Sequence, residues 1–256
     1  MAYDKNVFVL GAGASVGAGA PVLNDFLRRA RDLLDNQHSL LNCEERKAFE
    51  RIFQWRYNIA AVRRYMNIDL ENVEELFSLV DMSCQLDFKI GEQEAEETRK
   101  DLTLLISRTL ELTIKFRDIK VNNVNRYSGD QTYYEFANLL SRWSPSHNKD
   151  KSEFDSIITL NYDTALDRTL SSMGRTFTYC TPWSKMKSEQ YKLLKLHGSI
   201  NWGICQNPKC NMRKEYIRFQ LSIPNTDYHT IETTRLIYKD KCKCGASFAP
   251  FIVPPT

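Results

Sequence analysis

No stretch of this 256-residue chain approaches the roughly 20 consecutive apolar residues that a membrane-spanning helix needs. The run from Val7 to Leu10 is too short for the core of a signal peptide, and glycines interrupt the residues after it. The chain therefore reads as cytoplasmic, with no membrane partner. Charge of one sign is lacking too. The net charge is +3, from 35 Lys and Arg against 32 Asp and Glu, and no basic block forms a tail, so nucleic acid is not an expected partner. Histidine is scarce, at four residues, and internal repeats and low-complexity tracts are missing. The rest of the composition is ordinary: 42% hydrophobic and 26% charged residues, in a chain long enough to bury a substantial core as one large domain or two small ones.

The seven cysteines are an odd number, and four of them, Cys205, Cys210, Cys242 and Cys244, fall late in the chain. In a reducing compartment such a cluster points to a metal rather than to disulfides. Cys43, Cys84 and Cys180 stand alone and read as small packing residues.

Residues 5–10 read as a buried strand that ends in Gly11-Ala12-Gly13-Ala14-Ser15 and then Gly17-Ala18-Gly19-Ala20-Pro21. A helix is expected from near Pro21 or Asn24 through Leu34. Helical spacing of apolar residues continues over 43–66, 71–85, 92–117 and 131–142, with 122–130 as a loop. Within this block Phe49, Phe53, Trp55 and Tyr57 read as helix core. Ser144-Pro145-Ser146 breaks the pattern. Strands are then expected at 155–160, 176–179 and 191–196, with a helix at 164–172. Strand and helix alternating on either side of a helical block argue for an α/β fold, a parallel sheet carrying a helical insertion at about 36–143.

Three strand ends carry polar chemistry. After the first, glycines let a backbone approach a phosphate, although the spacing of Gly11, Gly13 and Gly17 departs by one residue from the dinucleotide fingerprint, and a plain tight turn would look the same. After the second, Thr159-Leu160-Asn161-Tyr162-Asp163 places an amide and a carboxylate where α/β sheets bind ligands. The bland alternative is that Asn161 turns the chain and Asp163 caps the next helix. After the third, Leu196-His197-Gly198-Ser199 offers the side chain best suited to move a proton near neutrality, or else a packed structural histidine.

Taken together, these elements resemble the sirtuin superfamily. Gly11-Ala12-Gly13-Ala14-Ser15 with Gly19-Ala20-Pro21 is similar to the sirtuin Gly-Ala-Gly-x-Ser…Gly-x-Pro element. Residues 159–163 are similar to Thr-Gln-Asn-x-Asp, with Leu160 for Gln. His197-Gly198 resembles the catalytic His-Gly pair, and the cysteine pairs arrive where sirtuins carry a zinc module. The Asp-Phe-Arg of protein deacylases is replaced by Val22-Leu23-Asn24-Asp25-Phe26. The long helical block, with residues 67–76, and the ending at 251–256 resemble the divergent prokaryotic sirtuin-like NAD hydrolases of antiphage defence. The resemblance implies one sirtuin-like domain over 1–256 with a Rossmann-type parallel sheet, incomplete at its C-terminal side because further nucleotide-binding strands would come after it.

The activity so implied is hydrolysis of the nicotinamide–ribose bond of NAD. Gly11, Ala12, Gly13 and Ser15 would hold the pyrophosphate. Asn161 and Asp163 would orient the ribose or a water, and His197 would act as general base. NAD-dependent protein deacylation and a non-catalytic nucleotide-sensing or partner-binding module are the rival readings. By analogy, the helical insertion would supply contacts for a homo-oligomer or for partner proteins.

The Cys205-x4-Cys210 and Cys242-x-Cys244-Gly245 pairs would close a zinc-ribbon-like module over about 203–248, holding structural Zn²⁺ through four thiolates, with His229 able to substitute for one ligand; ordinary reduced cysteines or a decayed site are the alternative. Residues 215–221 and 233–239 read as two strands of that ribbon.

Overall fold

The computed structural model of the protein describes residues 6–36, 40–60, 68–86, 94–121, 124–128, 131–143, 155–181, 190–207, 209–210, 216–217, 221–225, 228–231 and 233–254. The chain begins with β1 (Val7–Leu10) and a 3-10 turn at Ala12–Ser15, followed by four helices, α1 (Leu23–Asn36), α2 (Cys43–Ala60), α3 (Val73–Gln85) and α4 (Ala95–Thr113). Then come β2 (Arg117–Val121), β3 (Val124–Ser128), α5 (Gln131–Trp143), β4 (Ser156–Thr159), α6 (Ala165–Ser172), β5 (Phe177–Thr178) and β6 (Tyr191–Lys195). The last elements are β7 (Gly198–Cys205), β8 (Tyr216–Ile217), β9 (Leu221–Asn225), β10 (Tyr228–Ile231), α7 (Thr234–Lys239) and β11 (Phe248–Ile252).

Two compact units share the chain. The first holds Met1–Ala20, Ile114–Ser199 and Leu221–Thr230, and the second holds Pro21–Thr113, Ile200–Gln220 and Ile231–Thr256. The helical block is thus divided: α1 to α4 lie in the second unit, whereas α5 belongs to the first.

The core of the first unit is a parallel sheet in the order β1-β4-β6-β5. In-register pairing sets Phe8 beside Ile157 and Ile157 beside Leu193. On this face α5 packs: the Phe8 and Phe136 rings meet edge to face at 5.3 Å, and the Tyr191 hydroxyl donates to the Leu140 carbonyl at 3.2 Å. Tyr133, Ala137 and Leu140, one turn apart on α5, are buried, as helical spacing requires. Among the described residues β1 pairs with β4 alone, and the strand expected to be buried is exposed on one face. Val7 and Val9, 59% and 66% exposed, lie on the other face of the sheet beside the half-buried Ser156 and Ile158. An apolar run alone does not distinguish a strand covered on both faces from one covered on a single face.

In the second unit α4 packs against α1, α2, α3, α7 and β11. Leu102, Leu105, Ile106 and Leu110 are buried there, each contributing about 1.5–3 kcal/mol relative to exposure. The helix starts are fixed locally. Asn42 and Glu45 form a reciprocal capping box at α2, the Asn42 amide oxygen accepting from Glu45 N–H and the Glu45 carboxylate from Asn42 N–H, both at 2.9 Å. At α3 the Asn72 side chain accepts from the N–H groups of Glu74 and Glu75. A buried ion network joins these helices: Arg108 meets Glu45 at 3.1 Å and Glu111 at 2.5 Å, and Arg235 meets Glu45 at 2.7 Å.

Several sequence expectations are corrected. Tyr57 is 77% exposed, while Phe49, Phe53 and Trp55 are buried, because the first lies on the outer side of α2. Residues 124–128, expected within a loop, form β3, which pairs antiparallel with β2, while 122–123 and 129–130 lie outside the described residues. Of the three isolated cysteines expected to serve in packing, Cys43 is exposed, while Cys84 and Cys180 are half-buried. The strand expected at 233–239 is the helix α7. Its first N–H groups, of Thr233 and Thr234, donate to the buried Glu111 carboxylate at 2.7 and 2.6 Å, a partner that lies 122 residues away and leaves no local signal. The other ribbon strand survives in part as β8, with residues 215 and 218–220 outside the described residues, as is the breaker at 144–146. No helix among the described residues is long and apolar enough to cross a membrane.

Candidate functional site

In the first unit the parallel register aligns Leu10, Thr159 and Lys195, so β1, β4 and β6 end along one edge of the sheet. Backbone pairing continues one step further, with Leu160 N–H donating to the Leu10 carbonyl at 3.0 Å and Leu196 N–H to the Thr159 carbonyl at 3.1 Å. The glycine-rich turn, Asn161 and His197 therefore emerge on the same edge, as the sequence implied. Tertiary pairing has gathered them from distant parts of the chain.

The turn after β1 is a single turn of 3-10 helix, closed by Ala14 N–H to Gly11 O at 3.0 Å; no α-helix follows it directly, since α1 begins only at Leu23. Gly11 and Gly13 are exposed, neither has a positive φ, and a Cβ built on either would meet nothing within 4 Å. Neither backbone conformation nor internal packing therefore demands glycine at these two positions. Their effect is to leave peptide groups bare at the sheet edge, where a ligand's phosphates could approach. Ala12 lies exposed between them, whereas Ser15 is buried.

Asn161 ties this turn to β4. Its Nδ2 donates to Gly11 O at 3.0 Å and to Ser15 Oγ at 2.9 Å, and its own N–H donates to Thr159 Oγ1 at 3.1 Å. Asn161 is buried, at 8% exposed. Both amide hydrogens are engaged. Asp163, one residue before the N-cap Thr164, is 4% exposed and accepts from the N–H of Ala165, the first residue of α6, at 2.8 Å. Burial raises the pKa of this carboxyl, and the nearby Lys195 charge opposes the rise.

His197 sits in the turn between β6 and β7, half-buried, and Gly198 after it takes φ +74° to make that turn. The imidazole packs against the Tyr162 ring, centroids 6.0 Å apart, and Ser199 Oγ donates to the Tyr162 carbonyl at 3.2 Å. Two participants were not legible in the sequence. Tyr133, from α5, places its hydroxyl 2.8 Å from Ser15 Oγ. Lys195, one residue before Leu196, is buried and donates to the Asp163 carbonyl and to Asp167. A Lys inside a strand that alternates inward and outward could have been noticed, since a buried ammonium requires a partner.

In the second unit the four late cysteines converge, with all four sulfurs within 4.8 Å of one another. Cys205 and Cys244 are 3.6 Å apart and Cys210 and Cys242 3.8 Å apart. A tetrahedral zinc–thiolate site with Zn–S of about 2.3 Å has sulfur–sulfur edges of about 3.8 Å, so the set could hold a metal such as zinc. The tight Cys242-x-Cys244 pair is accommodated by a knuckle. Gly245 takes φ +86°, its N–H donates to the Cys242 carbonyl at 2.8 Å, and Lys241 bridges to Ser247. The Ala246 N–H and the neighbouring thiols pull Cys244 down to about 7, against burial. His229 lies on β10, outside the residues with described side chains. Four thiols suffice without it.

Comparison with known proteins gave no matching family model and no matching curated protein.

Proposed function

We propose that the sheet edge of the first unit binds NAD and hydrolyses its nicotinamide–ribose bond. The observation that carries this reading is the bare Gly11–Gly13 backbone, held by the Asn161 amide on the same sheet edge as His197. The sirtuin-like motifs that coincide at these positions support it, and they also suggest antiphage defence as the setting. The pyrophosphate would lie on the turn at Gly11, Ala12, Gly13 and Ser15. Nicotinamide leaves as a neutral ring, and C1′ of the ribose gains positive character as the bond breaks. The Asn161 carbonyl oxygen orients the ribose or the attacking water, with Asp163 holding the segment in place. His197 takes the proton from water as it adds to C1′, giving ADP-ribose, nicotinamide and a proton. Structural zinc at Cys205, Cys210, Cys242 and Cys244 would brace the second unit.

A second reading, nucleotide binding without turnover, is favoured by one observation: Asn161 and Asp163 both spend hydrogen bonds on the fold itself. Incubating the purified protein with NAD, with and without an acyl-lysine peptide, separates the readings. Nicotinamide release without peptide supports the hydrolase, and release only with peptide supports a deacylase. Saturable NAD binding with no release supports the sensor.

A further inference from the structure

Tyr133 is a buried aromatic residue on α5, far in sequence from every motif, yet its hydroxyl reaches the centre of the site. It lies 2.8 Å from Ser15 Oγ, and it also interacts with the Asn161 side chain. Ser15 Oγ in turn accepts from Asn161 Nδ2 at 2.9 Å and bonds the Asp163 carboxylate.

The valences of these groups impose an order. A serine hydroxyl has one proton to give and two lone pairs to receive with. In its carboxylate form Asp163 can only accept, and Ser15 then gives its proton to Asp163. Both lone pairs of Ser15 are then free to accept, one from Asn161 Nδ2 and one from the Tyr133 hydroxyl. A phenol is a sound donor here, because burial, with the nearby Asp163 charge, raises its pKa above the ordinary phenol value. With Ser15 so oriented, the Asn161 amide cannot flip without losing its bonds to Ser15 and to the Gly11 carbonyl.

Resting on the reading of this edge as an NAD-hydrolysing site, we propose that Tyr133 is a positioning residue that fixes the Ser15 hydroxyl, and through it the rotamer of Asn161 and the glycine-rich turn. A helix otherwise engaged in packing on the sheet thereby sets the geometry of the site. Tyr133 itself touches no reacting atom.

The test is Tyr133→Phe, which keeps the ring and removes only the oxygen, alongside Ser15→Ala and the double variant. Loss of one buried hydrogen bond frees local opening by about tenfold, so amide hydrogen exchange over residues 11–15 and 161–164 should quicken by that factor while exchange in α2 and α4 is unchanged. In NAD cleavage the variant should lower kcat about tenfold with little change in KM, and it should add nothing in the Ser15→Ala background. Wild-type exchange at both segments in Tyr133→Phe would overturn the inference, as would an equal loss of kcat in the presence and absence of the Ser15 hydroxyl. If the wild-type protein releases no nicotinamide, the hydrolase reading fails by itself, and the exchange measurement still decides the role of Tyr133.

Discussion

The Lys195 ammonium lies 3.1 Å from the Asp167 carboxylate, and both side chains are 1% exposed. Lys195 ends β6 just before His197, and Asp167 lies in the first turn of α6 after Asp163, so one ion pair joins the two segments that carry the candidate chemistry. The Tyr179 hydroxyl completes it by donating to Asp167 at 2.6 Å, and Lys195 also donates to the Asp163 carbonyl. Two charges removed from water are costly, and their mutual satisfaction offsets that cost only while both are present.

Lys195→Met should therefore destabilise the protein by about 3–5 kcal/mol, because it strands a buried carboxylate. The double variant Lys195→Met with Asp167→Leu should recover much of that loss. Denaturant unfolding of the three proteins measures both effects. Additive losses in the double variant would show that the two residues do not act as a pair.

His197→Ala should lower NAD cleavage at least about a hundredfold, the lower range for loss of positioned acid–base chemistry. Because His197 is half-buried and packs against the Tyr162 ring at the sheet edge, stability should fall by about 1 kcal/mol or less. Asn161→Ala behaves differently. It removes donors to Gly11 and Ser15, so about 1–3 kcal/mol of stability should go with the activity. Steady-state rates and thermal unfolding on the same samples separate the two outcomes. A large stability loss in His197→Ala would mark the histidine as a packing residue.

Purified protein should carry one zinc ion per chain, with Zn–S distances of about 2.3 Å by X-ray absorption. Treatment with a strong chelator should expose the thiols of Cys205, Cys210 and Cys242 to alkylation, since all three are buried in the folded unit. Metal-free protein that unfolds at the same temperature as the metal-loaded form would show that the cluster does not brace this unit.

Glu45 predicts an acid limb. Burial by itself would raise this carboxyl, but the Arg235 hydrogen bonds, the Arg108 charge and the Asn42 N–H together bring it below its ordinary value. The unfolded chain therefore takes up this proton first as pH falls. The stability that the Glu45 charge contributes is complete above the ordinary carboxylate range and is lost as pH falls through the lowered native value. Glu45→Gln should cost about 1.5–3 kcal/mol at neutral pH, and its difference from wild type should shrink below the carboxylate range. Glu111 pulls the other way, because burial raises its carboxyl and protonation then favours the native state. Comparing Glu45→Gln with wild type across pH isolates the first effect from the second.

The alternation of strand and helix, the strand ends at Gly11, Asn161 and His197, and the late cysteine pairs were all legible in the residues, because each is a local signal: an apolar run, a turn former, a short spacing. Their meeting on one sheet edge followed from the handedness and register that parallel strands impose. Tertiary structure decided the rest. Thr234 opens a helix because Glu111 waits for its N–H, and Val7 and Val9 are exposed because of where β1 lies in the sheet. Tyr133 enters the site from a helix whose own sequence gives no sign of it. Hydrogen bonds and ion pairs between residues far apart along the chain depend on where it returns in space, and no spacing along the chain encodes that.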